Sequence, residues 1–407
     1  MSLLYNSVPS SSEDTIALTN RIDNNVRNHC CIDYSSDCIM HCHIISKTDV
    51  EIAIGKLKSD KINEGGVLFS DNFIHGTDLL FTCIALLFTS MIYHGYAPDT
   101  FIRSSIIPIP KGAKASLNDS NKYRSIAISS LLSKIFDHII IRRQANILET
   151  SNYQFGFKSH SSTVLCSTMV NETIQYYAEC GNKPVYLLLL DASKAFDKVV
   201  YNVLFDLLLD RKLCPSIIKL LLYMYTNQTC YVNWCNAQSD SFNISNGVKQ
   251  GAVISPLLFS IYIDNLFLIL KQSGLGCHVG LTYAGVFGYA DDIALIAPSL
   301  YCLEQMIDIC EKFAKLHTID FNPSKSKLLC FNAKSQVGQI YLNGQPITVT
   351  ENDKHLGNYI ATDIHDRNVI NDICDFYQRS NWLISDFRAC DSITLDKLHM
   401  TYCIHMY

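Results

Sequence analysis

The stretch Phe287-Gly288-Tyr289-Ala290-Asp291-Asp292-Ile293-Ala294-Leu295-Ile296-Ala297-Pro298 decides how the chain is read. Apolar and aromatic residues on both sides predict two short strands, with Asp291 and Asp292 at the tight turn between them. A carboxylate pair at the tip of an apolar hairpin is costly unless it meets a cation or water. Taken alone the pair is also an ordinary solvated turn, because Asp is a common turn residue.

A second stretch changes that weighing. Val185–Asp191, VYLLLLD, is a continuous apolar run ending in an acid, the pattern of a strand buried on both faces. Asp191 stands where the strand exits, and Ala192–Val199 turns the chain into a helix over Tyr201–Arg211. One acid at a strand end and two on a hairpin match the needs of two-metal phosphoryl transfer. Its cations, about 3.5–4 Å apart, are bridged by carboxylates from different strands. Oxygen ligands and retained waters suit Mg²⁺.

The order LLLDASKAFD (188–197), GVKQGAVISPLLFSIYIDNL (247–266) and YADD (289–292) resembles the reverse transcriptases of non-LTR (LINE-type) retrotransposons. The resemblance runs from about Asp49 to Tyr407. It implies an α+β right-hand polymerase: a linker or upstream remnant over 1–46, a fingers-rich part over 47–184, a palm over 185–360, and the start of a truncated thumb over 361–407. The implied reaction is addition of deoxynucleotides to a primer 3′-hydroxyl on an RNA template. Asp191, Asp291 and Asp292 would hold two Mg²⁺ ions, with Mn²⁺ a possible substitute. Lys325 is the candidate base near the pyrophosphate leaving group, with Lys327 behind it.

The same resemblance makes Lys111 and Arg124 the residues that hold the nucleotide triphosphate. A Lys point charge and an Arg fork suit phosphate oxygens. Phe196 matches the position that packs under the nucleotide sugar and leaves no room for a 2′-hydroxyl. It is equally a core ring at a strand–helix junction. Gln250 and Gly251 would contact the incoming nucleotide and the template base. Asp197 is read as a capping or orienting residue rather than a ligand. His355–Tyr359 resembles the motif that grips the primer end. Two departures stand out: KINEGGVLFSD (61–71) lacks the family's usual glycine-proline pattern, and Ser125 stands where proline is usual.

Composition sets the background. The chain has 407 residues, a net charge of −5 and 48% apolar residues. Its charged fraction is 17%, against roughly 25% in an average protein. That is a core-rich globular chain, and its net charge does not advertise nucleic-acid binding. Basic residues nevertheless gather between Arg103 and Arg143: Lys111, Lys114, Lys122, Arg124, Lys134 and Arg142 lie between them, against Asp119 and Asp137. Such a face can track phosphates or simply be solvated.

The 17 cysteines have no signal peptide ahead of them, which predicts reduced thiols in an intracellular protein of nucleus and cytoplasm. Cys30, Cys31, Cys38, His41, Cys42 and His43 form one dense cluster without CxxC spacing, a poor match for zinc. Leu79–Tyr93 is uncharged but shorter than the ~20 residues that span a bilayer, so a buried helix is expected there and no membrane partner.

Smaller elements follow from local signals. Thr48 with Glu51 predicts a capped helix over Thr48–Ser59. Phe101–Pro110 reads as a strand, Tyr123–Leu148 as helix-rich, and Met1–Ser46, polar and poorly periodic, as a linker or degraded remnant of an upstream region. The partners expected are RNA template, DNA primer and dNTPs, with an endonuclease region upstream in the full-length protein. Two other readings stay open: a catalytically inactive nucleic-acid-binding fragment, and a group II intron maturase-like protein.

Overall fold

A computed structural model describes residues 12–31, 43–63, 68–111, 123–235, 237–333, 338–362, 367–388 and 390–402. Along the chain run α1 (Ser12–Cys31), α2 (Lys47–Ile54), α3 (Asp78–His94), β1 (Arg103–Pro110), β2 (Tyr123–Ser129), α4 (Leu131–Arg143) and α5 (Thr163–Gln175). Then come β3 (Val185–Asp191), α6 (Tyr201–Asp210), α7 (Pro215–Thr226), β4 (Thr229–Trp234) and α8 (Ser255–Gln272). The remainder holds β5 (Val286–Tyr289), β6 (Asp292–Ala297), α9 (Leu300–Leu316), β7 (Lys327–Phe331), β8 (Thr348–Val349), β9 (Asn352–His355), β10 (Asn358–Ala361), α10 (Arg367–Asp386) and α11 (Ser392–Tyr402). This mixture of helices with separate, mostly antiparallel sheets is the α+β class expected from the sequence. The chain divides into two compact units, one made of Met1–Ser159, Ala192–Ile269 and Ile309–Asp320, the other of His160–Asp191, Leu270–Asp308 and Phe321–Tyr407.

In the first unit β1 lies between β2, antiparallel, and β4, parallel. Strand β2 departs from the helix-rich expectation for Tyr123–Leu148, and helix begins only at Leu131. Its buried positions, Tyr123, Ser125, Ala127 and Ser129, alternate with more exposed ones. Two of those four are serines, so the period-2 pattern does not show as hydrophobicity. Ser130 then caps α4, its Oγ accepting from the Ser133 N–H at 3.1 Å. Phe88 of α3 meets Phe101 and Phe136 edge-on, with ring centroids 6.0 and 5.3 Å away.

Three further expectations need correction in this unit. Stretch 12–31 is no linker: it forms α1, which buries Leu18 and Ile22 and pairs Arg21 with Asp206 and Asp210. Its two apolar anchors are diluted by polar residues, which hides the helix from a periodicity reading. Helix α2 is capped by Ser46 rather than Thr48, because Ser46 and Asp49 satisfy each other's backbone N–H groups. Helix α3 is buried on one side only; Leu79, Leu86 and Tyr93 are exposed.

The second unit is built on a five-stranded sheet in the order β8-β7-β3-β6-β5. Strand β3 is central, antiparallel to both β6 and β7, and its Leu187 and Leu188 are fully buried. That matches the expectation for an uninterrupted apolar run. Helix α5 packs against β5, β6 and β10, while β9 and β10 form a separate hairpin. No helix among the described residues is long and apolar enough to cross a membrane. The side chains of Cys30, Cys31, Cys38, His41 and Cys42 lie outside the described residues.

Candidate active site

The acids that opened the reading come together in the second unit. Asp191 is the last residue of β3 and Asp292 the first of β6, and the antiparallel register sets them opposite one another. Asp291 lies in the turn between β5 and β6, beside Ala290 at φ +57°. A left-handed alanine costs about 1–2 kcal/mol, so the turn that presents the acids is locally strained. Packing against the sheet and the neighbouring charges of Asp291 and Asp191 push Asp292 up to about 6. Asp291 and Asp191 are half-buried and Asp292 is open to solvent, so the carboxylates are reachable.

Lys325 pairs with one of these acids, its Nζ lying 3.2 Å from Asp191 Oδ2. Its side chain is 61% exposed, and an exposed pair of this kind is weak and exchangeable. The loop ahead of β7 also holds the Asp191 backbone. Ser326 Oγ is 3.2 Å from the Asp191 N–H, and the Asp191 carbonyl accepts from the Asn322 N–H at 2.9 Å. Lys327 faces Leu189 across the β7–β3 pair and donates to the Ser324 carbonyl.

A hard divalent cation fits this donor set. It is all-oxygen, it gathers neighbouring carboxylates that add to the effect of burial in lifting Asp292, and it sits on two adjacent strands. Among the described residues no three His, Cys, Asp or Glu side chains already converge into a closed cage.

The sequence-predicted nucleotide-binding residues belong to the first unit. Phe196 sits half-buried on a short turn of 3-10 helix, Ala195–Lys198, and stacks on the buried Phe259 at 4.5 Å between centroids. Arg124 is exposed on β2, opposite Ile109 of β1, and Lys111 is exposed just past the end of β1. Gln250 and Gly251 lie in the loop that leads into α8. That loop lies against β2: the Gln250 carbonyl accepts from the Ala127 N–H at 2.7 Å. Gly251, at φ +115°, could not carry a Cβ, which would come within 2.6 Å of the Ala127 carbonyl oxygen.

Two buried acids hold the same loop, and only one was singled out in the sequence. Asp197 accepts from Gln250 Nε2 at 2.8 Å. Burial pushes it up to about 6, held back by that hydrogen bond and by the charges of Lys194 and Lys111. Asp137 of α4 accepts from the Ile254 N–H at 3.3 Å, and burial pushes it up to about 7. No local signal ties Asp137 to a loop 117 residues away. The basic run narrows as well, since Arg142 and Arg143 both pair with Asp49. His355 is buried at the end of β9, and burial lowers it to about 4, so the ring is neutral at physiological pH.

Comparison with known proteins gives this arrangement its context. The family described as reverse transcriptase (RNA-dependent DNA polymerase) matches residues 109–360. The Pol polyprotein of the type-1 retrotransposable element R2 from Nasonia vitripennis is 27% identical over 61% of this chain and 24% of its own length. The RNA-directed DNA polymerase of the mobile element jockey from Drosophila funebris is 25% identical over 88% of this chain and 40% of its own length. Among solved structures, apo telomerase from Candida tropicalis, truncated from its C-terminal domain, aligns with a TM-score of 0.46. It shows 16% identity and covers 67% of this chain and 55% of that one. The chain thus spans about a quarter to two fifths of the curated relatives named here. With the family match covering well over half of its residues and the motifs in order, this chain belongs to the reverse transcriptase family, as its resemblance to the non-LTR retrotransposon enzymes implies.

Proposed function

We propose that this chain is an RNA-directed DNA polymerase of the non-LTR retrotransposon type, extending a primer 3′-hydroxyl with deoxynucleotides on an RNA template. The observation that carries the reading is the meeting of Asp191, Asp291 and Asp292 at one end of a buried sheet, with membership of the family. In this reading residues 47–184 supply fingers, 185–360 the palm, and 361–407 thumb residues.

Asp191, Asp291 and Asp292 are the residues that would hold two Mg²⁺ ions, or Mn²⁺ in their place. Bound there, the ions would supply activation of the primer hydroxyl and stabilisation of charge on the departing pyrophosphate. The protein's share is positioning and preorganised charge. Lys325 sits beside Asp191 and exchanges that carboxylate for a phosphate oxygen of the leaving group. Lys111 and Arg124 hold the triphosphate, and Phe196 lies against the sugar. The chain acts inside the cell, where its many cysteines stay reduced.

Primer extension on poly(rA)/oligo(dT) with Mg²⁺ tests this directly. Template-dependent, dTTP-dependent lengthening of the primer is the expected result. A folded chain that binds the duplex but adds no nucleotide would overturn the reading in favour of an inactive nucleic-acid-binding protein.

A further inference from the structure

The Gln250 side chain is held as firmly as its backbone. Phe196 and Asp197 form a short turn, and the loop carrying Gln250 is laid along it by three main-chain and side-chain bonds. The Val248 N–H donates to the Phe196 carbonyl at 2.8 Å, and the Gly247 N–H to the Val199 carbonyl at 2.8 Å. Asn246 Nδ2 donates to the Asp197 carbonyl at 2.6 Å. The approach is so close that a Cβ on Gly247 would fall 2.7 Å from the Asp197 carbonyl oxygen, and Gly247 also has φ +89°. Only glycine fits that place. With its backbone pinned to Ala127 and its amide to Asp197, Gln250 is fixed at both ends.

Asp197 is 4% exposed, and a buried carboxylate is an expensive way to fill space. If the turn needed only an acceptor of this shape, Asn would serve without the charge. The two differ in one respect. An ionised carboxylate accepts and cannot donate, whereas an amide does both and can turn over. Facing an acceptor-only partner, the Gln250 amide must point its NH₂ group inward and its carbonyl oxygen away. Burial brings Asp197 to about 6, and Lys194 and Lys111 restrain it from rising further, so it is ionised at neutral pH and above.

We propose that Asp197 is a positioning residue for the incoming nucleotide: its carboxylate takes the Gln250 NH₂ group and so presents the Gln250 carbonyl oxygen as a fixed acceptor for a hydrogen-bond donor on that nucleotide. The inference rests on the polymerase reading above. It places the effect of Asp197 in nucleotide binding, acting wholly through Gln250, and not in holding the metal or the primer.

Single-nucleotide incorporation by the full chain at pH 8, compared at matched folded fraction, tests it. The variants are Asp197→Asn, Gln250→Ala and the double variant. Asp197→Asn raises KM for dNTP about tenfold and leaves kcat within about threefold. Gln250→Ala does at least as much, and adding Asp197→Asn to it changes nothing further, because residues acting as one unit are not additive. Asp197→Glu keeps an acceptor-only group but displaces it by one methylene, and it raises KM in the same way. It also keeps the test open should Asp197→Asn fold poorly. Equal fold-losses from Asp197→Asn in the presence and absence of Gln250 overturn the proposal and leave Asp197 a scaffold residue. An unchanged KM in a folded Asp197→Asn variant does the same. No incorporation by the parent chain overturns the polymerase reading itself, and this inference with it.

Discussion

Two groups of aspartates in this protein meet opposite surroundings. At the end of the second unit's sheet, Asp191, Asp291 and Asp292 crowd one another and remain reachable from solvent, and an exposed lysine, Lys325, pairs with Asp191. Under the loop of the first unit, Asp137 and Asp197 are buried, and each accepts from an N–H group of that loop. Burial lifts Asp137, Asp197 and Asp292 alike, but only Asp292 is lifted by other carboxylates as well. On the proposed reading, the contrast separates acids that would hold a cation from acids that organise a backbone. A shifted carboxylate is informative only together with what it touches.

Neutralising one acid of the exposed group gives the largest effect. Asp291→Asn keeps the shape of the turn and removes a charged ligand. Primer extension should fall on the order of a thousandfold, about 4 kcal/mol of barrier, while Tm holds or rises because like-charge repulsion is relieved. Extension near the parent rate would remove Asp291 from the metal site.

Neutralising an acid of the buried group should do the reverse, altering stability. Asp137 has an ordinary value of 3.8 and reaches about 7 in the folded chain. Between those values the folded protein binds a proton that the unfolded chain has released, so stability falls as pH rises through about 7. The groups facing Asp137 are the Ile254 and Val253 N–H donors, Lys249 and Lys134, and all of them favour its charged form without cancelling the cost of burial. Asp137→Asn keeps an acceptor for Ile254 and has no proton to lose. At pH 8 the variant should be more stable than the parent by about 2–4 kcal/mol, with the gap narrowing as pH falls and closing only toward about pH 4. Parallel Tm-versus-pH curves for the two proteins would show that Asp137 is not the group responsible.

These groups were unequally legible in the sequence. The apolar runs Val185–Leu190 and Ile293–Ala297 announce strands, and an acid ending such a run is conspicuous. Their adjacency in the sheet is a register fact that no local pattern carries, yet it is what sets Asp191 opposite Asp292. The β2 strand was hidden because serines fill two of its buried positions, and α1 because Leu18 and Ile22 are isolated among polar residues. Hydroxyl residues at both Ser46 and Thr48 made the start of α2 ambiguous by two positions; the return bond from Asp49 decides it. Partner choice over long separations, such as Asp197 with Gln250, is set by packing alone.

The exposed cations of the first unit sharpen the contrast from the other side. Lys111 and Arg124 stand at the end of β1 and on β2, and the loop held by the buried acids lies on that same β2. Each alanine variant should raise KM for dNTP about thirtyfold, about 2 kcal/mol, and flatten its dependence on salt. Unchanged KM and kcat in both would show that these bases serve only solubility.

The smallest expected effect falls on Phe196, where packing and selectivity compete for one ring. Its face rests on Phe259 at 4.5 Å with an interplanar angle of 21°, so part of the ring is committed to the core. Its half-buried state leaves the rest available to a nucleotide sugar. The Phe196 carbonyl also accepts from Val248, a bond that substitution of the side chain leaves in place. Phe196→Val therefore loses the stack and opens volume without unlatching the loop. Losing a packed ring costs about 1–3 kcal/mol of stability here, less than a fully buried phenylalanine would, so rates must be compared at equal folded fraction. The discriminating quantity is kcat/KM for dNTP over that for rNTP, which measures differential transition-state binding. A ring that lies against the sugar predicts a ratio about tenfold lower in the variant, about 1.4 kcal/mol. A ring that serves only Phe259 predicts lower Tm with the ratio unmoved, and Phe196 would then belong with the buried scaffold around Asp197 rather than with the nucleotide.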